Sequence, residues 1–113
     1  MHTVETYWAN IYVGLQPGYA SERVYTIDSV KNILRIYMDE YKLAVTLTPT
    51  NFVYVGGSEP GIIVGLINYP RFPSTKDEII AKAKHLAEYL KKHLEQERVS
   101  IVFPDNTVML GEM

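Results

Sequence analysis

Residues 61–80 read GIIVGLINYPRFPSTKDEII, and the change of pattern inside this stretch decides the fold. Ile62 to Ile67 is a short apolar run of strand length that stops at Asn68. Pro70 and Pro73 then bracket Arg71 and Phe72 in a stiff connector, because each proline fixes its own φ and biases the residue before it away from helix. Thr75 and Glu78 stand three apart in a T-x-x-E capping box, and Asp77 adds negative charge where a helix dipole favours it. Ile79, Ile80, Ala83, Leu86, Ala87, Leu90 and Leu94 follow at helical spacing, with Lys91, Lys92 and His93 in the last turn. The segment is strand, loop, helix.

Reading outward from it, "GGSEPG" at Gly56 to Gly61 precedes the strand and reads as a hairpin loop, with the further option of a mobile lid over a ligand. Before it, Leu43 to Leu47 begins a strand that resumes from Phe52 to Val55, with Pro49 as a kink or an edge. Upstream, Val30, Ile33, Leu34, Tyr37, Met38 and Tyr41 mark an amphipathic helix of about four turns, with Thr26 as its N-cap. Gln16 to Tyr25, containing Pro17, Gly18 and Ser21, reads as a loop. Ala9 to Leu15 alternates as a half-buried strand, placing Ile11, Val13 and Leu15 on one face. Downstream, Val99 to Phe103 is a strand, "PDNT" at Pro104 to Thr107 a turn, and Val108 to Leu110 a final short strand.

The predicted order is βαββαββ. It implies an α+β fold: a single, mainly antiparallel sheet with two helices on one face, a ferredoxin-like variant with an added C-terminal strand. Residues 1–113 form a single α+β domain on this reading. Thr46, Thr48, Tyr12, Tyr54 and Ser100 would lie on the second sheet face, open to water, a ligand or a partner subunit.

The chain has 113 residues, 47% of them hydrophobic, enough for a core. Its formal charge of −2 argues against duplex nucleic acid, which calls for a basic face. With no cysteine there is no disulfide, thiol nucleophile or Cys-ligated metal. No signal peptide or membrane-length apolar run is expected, which suits the cytoplasm. Nine tyrosines and one tryptophan suggest stacking or interface surface.

Catalytic patterns are sparse. His85 and His93 lie two turns apart on one helix, too far to share a metal ion, and His2 is remote. No serine sits in a nucleophile elbow. Asp39–Glu40 and Asp77–Glu78 read as an exposed helix end and a helix start. The glycine loop leads into a strand, so it does not cradle a phosphate as a P-loop does. The proline-stiffened connector is the richest candidate: Tyr69 and Phe72 offer ring faces, and Arg71 offers a planar fork suited to phosphate. Its other reading is a stiff connector whose rings cap the core. Arg98 and Arg23 are further candidate cations, and Arg35 reads as a solvated helix face. A dimer could bring Arg98 to the connector.

From Phe52 onward, "FVYVGGSEPGIIVGLINYPRFPS" and "LAEYLKKHLEQERVSIVFPDNTVML" resemble the phage Thoeris anti-defence sponge proteins of the first-described type. The resemblance implies a small cytoplasmic homo-oligomer, at least a dimer, that catalyses nothing and needs no cofactor. It implies sequestration of a cyclic ADP-ribose isomer, the messenger of a bacterial TIR-based defence. The residue types that match its ligand site are Phe72, Arg71 and Arg98, with Asn68 as a hydrogen-bonding partner; Tyr69 and Arg23 join them as candidate ligand contacts from the residue reading above. A homo-oligomeric metabolite- or nucleotide-sensing regulatory module is the alternative.

Overall fold

The computed structural model describes residues 1–18 and 23–112; the loop reading of Ser21 lies outside them. The elements are β1 (Trp8–Gly14), α1 (Ile27–Tyr41), β2 (Thr46–Tyr54), β3 (Gly57–Ile67), α2 (Lys76–His93), β4 (Val99–Val102) and β5 (Thr107–Leu110). This is the expected βαββαββ order. The five strands form one sheet in the order β2-β3-β1-β4-β5, with every neighbouring pair antiparallel.

The register sorts the side chains between two faces. Ala9 pairs with Leu66, Ile11 with Val64 and Val13 with Ile62. All six are buried, as are Val99 and Ile101 of β4. Against them pack Ile79, Ala83, Leu86, Ala87 and Leu90 of α2, with Val30, Leu34 and Tyr37 of α1. Among the described residues no polar or charged side chain is buried. Burying each such aliphatic side chain contributes roughly 2 kcal/mol, so this face is the cohesive one.

Both helix starts are closed locally. Thr75 Oγ1 accepts from the Glu78 amide at 3.2 Å, and Glu78 Oε1 accepts from the Thr75 amide at 3.0 Å. That bonding to Thr75 holds the Glu78 carboxyl below its usual pKa. Thr26 caps α1 with Ser29 completing its box. At the far end of α1, Lys42 takes the left-handed conformation, with φ 52° and ψ 47°, and its amide bonds Met38 O at 3.0 Å.

Two local expectations change. "GGSEPG" is strand and not loop or lid: Ser58, Glu59, Pro60 and Gly61 pair with Val53, Phe52, Asn51 and Thr50. The turn is Val55-Gly56 alone, between the paired Tyr54 and Gly57, and Gly56 supplies the φ of 87° such a tight turn requires. Pro49 does not interrupt β2, which runs unbroken from Thr46 to Tyr54. An edge strand tolerates a missing N–H where one side of the ladder has no partner, and β2 is that edge.

Candidate functional site

The proline connector folds as one tight turn. The Phe72 amide donates to Tyr69 O at 3.0 Å, with Pro70 in the second position. Asn68 fastens its base: Nδ2 donates to Glu5 O at 2.8 Å, and Oδ1 accepts from the Ser74 amide at 2.8 Å. Both ends of this amide are therefore engaged by backbone. Arg71 stacks over the Phe72 ring, its guanidinium carbon 5.3 Å from the ring centroid, and faces a shallow hollow shared with His2 and Pro70.

Tyr69 and Phe72 form a wall of a cleft of about 400 Å³, closed on other sides by Leu43, Leu66, Ile67 and Ile79. Lys42 and Lys82 also line it, and no carboxylate does. Lys82 Nζ donates to Ser74 Oγ at 3.0 Å. Past Leu43 and Lys82 lies a second hollow of about 370 Å³, walled by Tyr37, Tyr41, Ala81 and His85. There the Tyr37 hydroxyl and His85 Nδ1 are 2.7 Å apart. Burial, helped by nearby Tyr41, Glu40 and Tyr89, pushes the Tyr37 phenol up to about 12. The phenol therefore stays protonated at neutral pH and keeps its hydrogen available for this contact.

Arg98 and Arg23 are elsewhere. Arg98 precedes β4, and its Nε donates to Glu112 O at 2.7 Å. Arg23 pairs with Glu95 and stacks 5.2 Å from the Tyr25 ring centroid. Both lie at the end of the sheet where β1 finishes, whereas the Tyr69–Phe72 turn lies where β1 starts. The six residue steps from the Trp8–Ile67 pair to the Gly14–Gly61 pair separate these ends by about 20 Å. Within one chain the three arginines do not converge.

On the turn's side of the sheet, Asp105 accepts from Tyr7 at 3.1 Å and from Lys76 Nζ at 2.9 Å. These bonds hold the Asp105 carboxyl below its usual pKa, and the Lys76 ammonium is raised by the same contact. The cluster ties the N-terminal segment, the start of α2 and the β4–β5 turn together.

The uncovered sheet face is the second candidate surface. Strand register puts Trp8, Asn10 and Tyr12 of β1 there, beside Ile63 and Ile67 of β3. Thr46, Thr48, Thr50, Phe52 and Tyr54 come from β2, and Ser100 and Val102 from β4. The expected Thr46, Thr48, Tyr12, Tyr54 and Ser100 are all present. Glu59, opposite Phe52, is the one charged side chain that the named strands place on this face. The Phe52 ring packs against Gly61, where an added Cβ would stand 2.2 Å from Cε2.

Sequence reading missed Glu59, Lys42, Leu43 and Lys82 as site-lining residues. Counting back in steps of two from Ile63 would have found Glu59, and a lysine where glycine usually ends a helix was a visible signal at Lys42. The cleft itself depends on how two helices meet. Among the described residues no cluster of His, Cys, Asp or Glu could hold a metal ion, and no helix is long and apolar enough to cross a membrane.

This arrangement is an α+β sheet with one open, ring-bearing face. Two solved structures share it. A phage SAM lyase in its apo state superposes with a TM-score of 0.76 at 20% identity, covering 94% of this chain and 89% of that one. A phage SAM lyase in complex with S-methyl-5'-thioadenosine superposes with a TM-score of 0.76 at 19% identity, covering 95% and 90%. No family model and no curated protein matches the chain. Likeness at this identity is a likeness of fold. It nonetheless corrects one expectation: both of these structures are named as a lyase, an enzyme, so the reading of a chain that catalyses nothing is withdrawn.

Proposed function

We propose that the chain is a lyase for adenosyl sulfonium compounds, with S-adenosylmethionine as substrate, and that a phage uses it against host defence. The observation that carries this reading is the near full-length correspondence to phage SAM lyases, one of them bound to S-methyl-5'-thioadenosine. The chemistry is heterolysis of a sulfonium carbon–sulfur bond. The electron pair goes to sulfur, and methylthioadenosine leaves as a neutral thioether. The four-carbon fragment is completed by its own carboxylate oxygen closing on that carbon, a displacement that moves no proton. No water is added. Consuming a methyl donor starves methyl-transfer reactions, which is a route to blocking a host defence.

The open sheet face suits this substrate. Tyr12, Phe52 and Tyr54 offer ring faces to an adenine, and rings attract a cation as well. Glu59, one strand from Phe52, is positioned to attract the sulfonium. Trp8, Ile67, Val102 and Met109 extend the face as apolar surface, and a second copy of the chain covering them completes a homo-oligomer of at least two copies.

A cyclic ADP-ribose isomer is a second candidate ligand. It carries an adenosine too, and the Tyr69–Phe72 turn holds two rings and Arg71 together. Its diphosphate would need Arg98 or Arg23 from another copy, given the 20 Å or so between the sheet ends.

The test incubates the purified chain with S-adenosylmethionine and, separately, with cyclic ADP-ribose isomers, followed by chromatography and mass spectrometry. Enzyme-dependent methylthioadenosine, lost at least tenfold in Glu59→Gln, is expected. Intact S-adenosylmethionine after prolonged incubation overturns the lyase reading. Tight binding of a cyclic ADP-ribose isomer in that case moves the assignment to the second ligand.

A further inference from the structure

We infer that the cleft between the end of α1 and the first turns of α2 is a second ligand site, for a flat apolar ring carrying a phosphate or carboxylate. It shares only Ile67 with the open sheet face and does not depend on the lyase reading. Its body of about 400 Å³ is large enough for a small organic molecule. Leu43, Leu66, Ile67 and Ile79 form an apolar floor, and Tyr69 and Phe72 supply ring walls. Two ammonium groups, Lys42 and Lys82, border it, and neither is ion-paired among the described residues. No carboxylate lines the cleft, so its wall carries two positive charges although the whole chain carries −2; Glu78, which feels the Lys82 charge, stands outside the lining. A sulfonium amino acid is repelled here; an organic anion is attracted.

Lys42 carries an independent signal. It occupies the left-handed cap of α1, with φ 52°, where glycine fits without the steric cost of a Cβ. Its side chain is exposed and forms no hydrogen bond or ion pair among the described residues, so nothing in the fold requires a lysine there. Its ammonium is left available to an anion in the cleft. The tight turn that presents Tyr69 and Phe72 is set by Pro70 and anchored by Asn68, so the ring wall is ordered before binding, which favours affinity.

The test is calorimetric titration of the intact chain with 1-naphthyl phosphate, 1-naphthoate and uncharged 1-naphthol. The two anions are expected to bind saturably, at least tenfold tighter than naphthol, and whichever is tighter identifies the preferred anionic group. Excess S-adenosylmethionine should not displace them. Lys42→Gly should weaken the anions about tenfold while raising the thermal midpoint by a few degrees, which separates the ligand role from folding. Lys82→Gln should weaken them similarly. Equal binding of naphthol, unchanged affinity in both variants, or no saturable binding of either anion overturns the inference.

Discussion

The two faces of strand β1 differ in both chemistry and cover. Ala9, Ile11 and Val13 are fully buried beneath the helices, whereas Trp8, Asn10 and Tyr12 are half-exposed on the other side. The covered set is small and aliphatic and interlocks with α2. The uncovered set is two rings and an amide, and it continues into Phe52 and Tyr54 on β2. A strand alternates sides with period two, so one backbone serves cohesion on one face and recognition on the other. Substitutions on the open face can therefore change what is bound without unmaking the sheet.

The largest effect should come from the covered face. Ile101→Ala removes a fully buried side chain and should cost about 3 kcal/mol in urea denaturation; a cost below about 1 kcal/mol would break the contrast. Next comes the helix–helix seam. Tyr37→Phe removes the 2.7 Å bond to His85 and should cost about 1 kcal/mol near neutral pH. It also carries a pH signature. The folded phenol titrates at about 12 against an ordinary 10.0, so its stabilisation is complete below pH 10 and is lost as pH rises from there through 12. Denaturation at pH 9 and pH 11 should show a steeper loss for the native chain than for Tyr37→Phe. The smallest stability effect belongs to the open face. Tyr12→Ser should change stability by less than about 0.5 kcal/mol, yet reduce methylthioadenosine release if that face is the lyase site. A loss as large as that of Ile101→Ala would show the face to be part of the core.

Local chemistry was legible from residue order alone. The capping box at Thr75 and Glu78, the alternation in β1 and the helical stripes all depend on neighbours a few residues away, and the α+β class with its element order followed from them. The misreadings have long-range causes. Three glycines in "GGSEPG" suggested a loop, but β2 supplies pairing partners that hold Ser58 to Gly61 extended. Pro49 suggested a kink or an edge; the edge is what the sheet shows, and there the missing donor leaves β2 uninterrupted. Of the candidate ligand residues, Asn68, Tyr69, Arg71 and Phe72 do share one turn. Arg23 and Arg98 are held apart from it because antiparallel order sends the exit of β3 and the start of β4 to opposite ends. Lys42 and Lys82 come together only when α1 has docked beside α2, which no local pattern encodes.

The β2–β3 hairpin has a consequence for time rather than place. Strand β1 pairs with β3 only from Gly61 onward, and β2 and β3 continue past that point as a ribbon of two strands. At its tip Val53 is 80% and Val55 fully exposed. Such a ribbon can part and close while the rest of the sheet stays intact, since local openings require less free energy than global unfolding. Amide hydrogens near the tip then exchange with water through these brief openings. Those of Ile11 and Val64 wait for the whole molecule to come apart, so the chain keeps two clocks along one pair of strands.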